Sequence, residues 1–329
     1  MLHSIRNGPG ARMDVPLNCA SAAELARTNA ECQDPAMNDQ ERPELGERKD
    51  AVATEGLFGP LIESTVRVVS WNLWWRFGPW EERFPAIVST LRELDPDVCC
   101  LQEVWDEAGR NQAAELAEAL GGYHHAYTSG IRHDGVAFGN AVISRWPITA
   151  SEGRDLPDED GDREGRSVLR AEVDGPRGPI ELYSTHLHWK LYDSHVRQAQ
   201  VTTICEFIAE SRDRRAYPPV LCGDFNAPPD SDEIRALTGR TRTVVPRQAF
   251  LDSWEVAGEG PGHSWTVENP YAALDLEPSR RIDFVLVGYP RRGGAGHAVA
   301  ARLAGLDPVD GVVPSAHLAV VADLRYCAR

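Results

Sequence analysis

The chain has 329 residues, 42% of them hydrophobic, and a formal net charge of −16. That length and apolar content can build a packed core, while the acidic balance opposes sequence-independent gripping of a polyanion, which needs Lys and Arg along one face. No apolar run approaches the roughly 18 to 20 residues of a membrane helix, and the N-terminus lacks the basic-then-apolar order of a secretory signal. The seven cysteines form no spaced framework: Cys99, Cys100 and Cys222 lie in apolar stretches and Cys205 in a helical one. This usage points to reduced thiols and a cytoplasmic location.

Residues 1–64 are polar and rich in Gly and Pro, and read as a mobile extension with one short helix near Ser21–Leu25. Val66–Asn72 is a β-branched first strand ending at Asn72. Ile87, Leu91 and Leu94 recur at helical spacing, and Asp95-Pro96-Asp97 stops that helix. Val98–Glu103 is a buried strand with a carboxylate at its tip. Ala113–Leu120 is a helix closed by Gly121-Gly122. Val136–Ser144 reads as a strand, Pro157–Glu164 as an acidic surface loop, and Ser167–Val173 with Ile180–Thr185 as a strand pair leading to His186.

A helix over Ser194–Glu210 buries Val196, Ile204 and Ile208 and carries Arg197 and Gln200 on its polar side. Val220–Asn226 runs from apolar residues through Gly223 into Asp224 and Asn226. Strand alternation puts these two on one side with Phe225 turned into the packing. Pro228 and Pro229 end that strand, and Asp230 or Ser231 can cap the helix behind them. Arg281–Val287 and His317–Leu324 are the last strands. Interspersed strands and helices with frequent hairpins favour an α/β fold, a sandwich of two facing mixed sheets with helices outside, in one domain over 65–329.

Asn72, Glu103, His186, Asp224, Asn226, Asp283 and His317 each stand in or at the end of an apolar strand. Gathered at one rim, they would hold what metal-assisted hydrolysis of a phosphate ester needs. Oxygen ligands without a thiolate select Mg²⁺ or Mn²⁺ over Zn²⁺, with Glu103 aided by Asn72 as the best ligand set. A His317–Asp283 pair would act as general base or phosphate-binding cation. His188 and His195 read as surface residues.

Six motifs carry a resemblance: Ser70-Trp71-Asn72-Leu73, Leu101-Gln102-Glu103, Ser184-Thr185-His186-Leu187, Gly223-Asp224-Phe225-Asn226, Arg281-Ile282-Asp283-Phe284 and Ser315-Ala316-His317. In this order they resemble the motifs of the endonuclease/exonuclease/phosphatase superfamily over about residues 65 to 325. The resemblance implies a four-layered α/β sandwich and a Mg²⁺-dependent hydrolase of phosphate mono- or diesters. By position, Glu103 would hold Mg²⁺ (or Mn²⁺) with Asn72 beside it, and His186 and Asn226 would contact the scissile phosphate. Asp224 would position or activate water, and His317, held by Asp283, would be base or charge stabiliser. Either Asp224 or His317 takes the proton.

Arg197 and Gln200 resemble an Arg-x-x-Gln pattern of the branches that do not act on DNA, a possible substrate contact, and Asn140 also fits the family pattern. One departure stands out: Ala316 replaces the aspartate of the family's Ser-Asp-His, which would weaken a second metal position or turnover. The implied partner is a phosphate-ester substrate. Nucleic acid is disfavoured by the net charge, although Trp74, Trp75, Trp80 and Trp189 offer faces on which bases could stack. A DNA or RNA nuclease is thus the alternative enzyme, and a non-catalytic binding protein of the same fold is the alternative from another class. No motif specifies an oligomeric state.

Overall fold

The computed structural model describes residues 64–158, 164–211, 217–291 and 293–326. The expected mobile extension and the helix near Ser21–Leu25 lie outside these residues, except Ser64, which exchanges hydrogen bonds with Tyr326.

The elements run in chain order as Thr65–Asn72 (β1), Trp80–Leu94 (α1), Val98–Glu107 (β2), Arg110–Asn111 (β3), Gln112–Ala119 (α2), His124–His133 (β4) and Val136–Ser144 (β5). Ile148–Asp155 (β6), Ser167–Gly175 (β7), Gly178–His186 (β8), Ser194–Ser211 (α3), Val220–Asp224 (β9) and Asp232–Leu237 (α4) follow. Phe250–Asp252 (β10), Ser253–Ala257 (α5), Asp283–Gly288 (β11), Ala298–Ala304 (β12) and Ala319–Arg325 (β13) complete the chain. Asp95 closes α1 in the left-handed conformation before Pro96, as the stop signal requires. Ser231 precedes α4, but its hydroxyl donates to Pro228 O and caps no helix N–H.

Two mixed sheets result. One is ordered β12-β13-β1-β2-β5-β4, with β3 on the end of β2, and the other β10-β11-β9-β8-β7-β6. The parallel pairs, β1 with β2 and β8 with β9, sit at the centre of each sheet. Alternation along the strands divides the core into three apolar layers. Val66 and Val68 of β1 meet Leu182 of β8 and Val220 and Cys222 of β9 between the sheets. Val69 and Trp71 turn the other way, onto Ile87 and Leu91 of α1. Tyr183 and Leu221 pack under Ile204 and Phe207 of α3. The architecture is the expected four-layered sandwich, helices outside and sheets within. Cys99, Cys100, Cys205 and Cys222 are buried free thiols, and no helix among the described residues is long and apolar enough to cross a membrane.

The central strand β9 places Asp224, and its approach to β8 leaves no room for a side chain at Gly223. A Cβ there would stand 2.2 Å from the Thr185 carbonyl oxygen. Gly223→Ala is therefore expected to cost about 1–3 kcal/mol of stability in urea denaturation, through overpacking against backbone. Unchanged stability would contradict this close approach.

Candidate active site

The strand ends bring the sequence-marked residues together, by routes that alternation alone does not foresee. Glu103 does not sit at a strand tip, since β2 continues to Glu107. Its pairing with β5 slips between Leu101 and Val104, and Glu103 adopts φ 53°. The resulting bulge re-aims the carboxylate, a device common beside active sites, at a cost of roughly 1–3 kcal/mol for the left-handed conformation. Asn226 likewise lies beyond β9, which ends at Asp224, and has φ 49°. Asp224 Oδ1 accepts the Asn226 N–H at 2.9 Å, so a tight turn positions Asn226 where strand alternation was expected to do so.

Asp224 is the meeting point. The Asn72 side-chain amide, at the end of β1, donates to Asp224 Oδ2 at 3.0 Å and to Glu103 Oε1 at 2.9 Å, joining both sheets. Asn72 Oδ1 accepts the Trp74 N–H, so Asn72 presents nitrogen to the two carboxylates. Asp224 Oδ2 also lies 3.5 Å from His186 Nε2 and 3.7 Å from His317 Nε2. His317 Nδ1 is 3.0 Å from Asp283 Oδ2.

Two hydroxyls fix this pair, Ser315 from the last motif and Ser264, which sequence reasoning missed. Ser264 Oγ accepts the N–H groups of Ile282 and Asp283, and Ser315 Oγ donates to Asn72 O and accepts the His317 N–H. An isolated serine carries no sequence signal for such a part.

The two histidines occupy opposite environments. Asn226 Nδ2 donates to His186 Nε2 at 3.0 Å, which requires the neutral tautomer with hydrogen on Nδ1. Burial, then the Arg166 and His317 charges, hold His186 well below the usual imidazole range. Burial also works against a charged His317, but Asp283 and then Asp224 overcome it and raise this imidazole to about 9. Burial, reinforced by Asp283, lifts Asp224 to about 7, and burial lifts Glu103.

Three buried carboxylates thus face one imidazolium, an excess of negative charge that a divalent cation would neutralise. Glu103 Oε2 and Asp283 Oδ1 are buried without hydrogen-bond partners, and ligand atoms of Asp224, Asp283 and His317 lie within 4.8 Å of one another. The donor set, with His317 charged, is the carboxylate oxygen of Glu103, Asp224 and Asp283, and it fits Mg²⁺ or Mn²⁺.

The cluster forms the floor of a cavity of about 800 Å³, to which Glu103, His186, Asp224, Asn226 and His317 contribute. Its walls add residues that the sequence did not single out. Arg166 and Arg280 supply positive charge, Trp265 stands edge-on to His317 at 4.9 Å, and Phe138 lies against His186 at 5.8 Å. Trp74 and the half-exposed Trp189 also line it. Trp80 instead packs on Trp105, and Trp75 hydrogen-bonds Ala137 O. A second groove beside Trp254 and Arg281 contains none of the strand-end residues.

Asn140, Arg197 and Gln200 do not line the cavity, and their side-chain nitrogens are committed within the fold. Asn140 donates to Ser167 O. Arg197 pairs with Glu233 and donates to the carbonyls of His188, Lys190 and Leu191, while Gln200 holds the His188 N–H and Pro157 O. His188 is a correction: it is buried, not a surface residue, with Asp193 and Glu164 at its two ring nitrogens. His195 is exposed. Ala316 is fully buried in an apolar cluster with Trp265, Ala272 and Ile282.

An α/β sandwich whose central strands end in a buried carboxylate–imidazole cluster defines the class, that of the sandwich phosphoesterase fold. The model of the Endonuclease/Exonuclease/phosphatase family matches residues 69–304, and the chain belongs to this family. It is similar to protein angel homolog 2 of Bos taurus, 32% identical over 166 residues, 46% of this chain and 30% of that protein's length. It is also similar to the uncharacterized protein YbhP of Escherichia coli K12, 27% identical over 225 residues, 64% of this chain and 82% of YbhP. Among solved structures, Danio rerio TDP2 complexed with single-strand DNA product superposes with a TM-score of 0.65 at 19% identity, covering 80% of this chain and 100% of that one. At that identity the likeness speaks for the fold.

Two outcomes test the site's electrostatics. The folded-state pKa of Asp224 and that of His317 are both raised, to about 7 and about 9, so their stabilising contributions are full at low pH and are lost as pH rises through those values. In metal-free buffer, the stability advantage of wild type over His317→Gln should be present at about pH 6 and gone by about pH 10 in urea titrations. An advantage that grows with pH would contradict the Asp283–His317 pairing. Ala316→Asp, by burying a carboxylate among apolar side chains, should lower the melting temperature and leave metal-dependent turnover no higher.

Proposed function

We propose that residues 65–329 form a Mg²⁺- or Mn²⁺-dependent phosphoesterase domain, hydrolysing a phosphate mono- or diester by in-line attack of an activated water. One observation carries this reading: Asp224 lies within reach of His186, Asn226 and His317 on a single cavity floor, with the Asn72 amide bonded to it from behind. Family membership supports it, since the family's own description covers nucleases and phosphatases.

Glu103 would hold the cation, which when bound supplies Lewis-acid charge to the phosphate oxygens. Asp224, poised near neutrality, accepts the water proton. His317, charged and oriented by Asp283, stabilises the extra negative charge of the pentavalent state. Asn226 donates toward the phosphate when its contact with His186 opens, and His186 remains neutral beside it. Arg166 and Arg280 set positive charge on the wall against the substrate's anion.

A nuclease is the second reading, favoured by the exposed Trp189 on the cavity wall. A panel of mononucleotides, single-stranded oligonucleotides, plasmid, phosphoinositides and sphingomyelin separates these readings.

With Mg²⁺, hydrolysis of bis-p-nitrophenyl phosphate is expected, and Asp224→Ala should reduce it by about 10²-fold or more. Chelation should abolish it. The rate should rise with pH as Asp224 loses its proton and fall near 9 as His317 loses its own, the lower limb moving to lower pH as Mg²⁺ saturates. Turnover that survives both chelation and Asp224→Ala would refute the proposal, and absence of turnover on every substrate would leave a binding protein.

A further inference from the structure

Arg166 reaches the cavity wall from a sharply turned segment, Glu164-Gly165-Arg166, just before β7. Gly165 has φ 62°, and a Cβ on it would stand 2.5 Å from the Ile131 backbone nitrogen, so the turn is closely held against β4. Arg166 is over nine-tenths buried, and Leu156 N donates to its carbonyl. Its Nε donates to Glu164 Oε2 at 2.8 Å, while Nη1 has no hydrogen-bond partner.

A carboxylate facing a guanidinium ordinarily closes a two-point fork that occupies Nε and an Nη group together. Here the second oxygen, Glu164 Oε1, makes no hydrogen bond and lies 3.1 Å from His188 Nδ1 instead. His188 is held on its far side by Asp193 Oδ2, 3.0 Å from Nε2. Carboxylates only accept, so the bond to Asp193 places a hydrogen on Nε2. The ring is not free to swing, since Gln200 and Arg197 pin the His188 backbone.

We infer that His188 is a positioning residue for Arg166. By drawing away one oxygen of Glu164, it prevents the closed fork and leaves the Nη groups of Arg166 to clamp a substrate phosphate oxygen. The inference rests on the phosphoesterase reading for its substrate, but phosphate binding tests it without any turnover. Without His188, Glu164 would pivot onto Arg166 and neutralise the clamp.

The experiment is calorimetric titration of inorganic phosphate into wild type, His188→Leu, Arg166→Gln and the double variant, alongside KM and kcat for bis-p-nitrophenyl phosphate. Asp193→Asn is included because it loosens the ring from the side remote from Arg166, and it carries the test if His188→Leu fails to fold. His188→Leu should weaken phosphate binding about tenfold, as a lost supporting contact typically does, and Asp193→Asn should weaken it less. KM should rise by a similar factor with kcat little changed, and the double variant should bind no worse than Arg166→Gln alone. His188→Gln, whose amide can still donate to Glu164, should restore part of the affinity.

Phosphate affinity within twofold of wild type in the folded His188 or Asp193 variants would overturn the inference. Full additivity with Arg166→Gln, or a wild type that binds no phosphate, would do the same. Normal phosphate coupling in a protein without hydrolytic turnover would instead uphold the clamp and refute the catalytic reading.

Discussion

The amide of Asn72, held between Glu103 and Asp224, is the contact on which the site depends. These carboxylates come from different sheets, both are withdrawn from water, and without an intervening donor their like charges would drive the strand ends apart. Asn72 is itself the last residue of β1, a strand that pairs with β2 and β13 at the centre of its sheet. The apolar layer between the sheets sets the separation at which one amide can span both acids. Packing therefore determines the distances in the site, and the site's hydrogen bonds close the end of the sandwich that packing leaves polar.

Around that contact, environment divides identical residue types into opposite roles. His186 is bounded by an amide donor and by the positive charges of Arg166 and His317, and stays neutral. His317 sits between Asp283 and Asp224 and is charged. A neutral ring and a charged one thus both lie within 3.7 Å of Asp224 Oδ2, a contrast set by their surroundings. The bulge at Glu103 and the turn at Asn226 contribute the same kind of specificity at the backbone level, since both side chains reach the cluster only because their residues leave the regular strand conformation.

The residues that looked like substrate contacts illustrate how a polar pattern can serve the scaffold. Arg197 and Gln200 stand one helical turn apart on α3, and both turn inward to hold the segment between β8 and α3. That segment carries His188, which in turn reaches the wall of the cavity through Glu164. Ala316, between Ser315 and His317, completes an apolar patch under Trp265. The aspartate of the resembling motif is thus replaced by a methyl group that packs, while Glu103, Asp224 and Asp283 retain the acidic character of the site.

Interior strands and helices were legible along the chain because burial on one or both sides writes a periodic apolar pattern: β1, β2, β5, β9 and β11 were all visible, as were α1 and α3. The strands that escaped notice, β4, β6, β10 and β12, are the four sheet edges, and β4, β6 and β12 are largely exposed. An edge strand borrows its conformation from a neighbour's hydrogen bonds, so its own side chains need carry no pattern. Motifs likewise marked Asn72, Glu103, His186, Asp224, Asn226, Asp283 and His317, because reactive side chains at the ends of apolar runs stand out in one dimension. What tertiary structure alone decided was which atoms of those residues meet, and that Arg166, Glu164, His188 and Ser264 join them. Those four come from loops and turns, where position depends on contacts with distant segments and no local period records it.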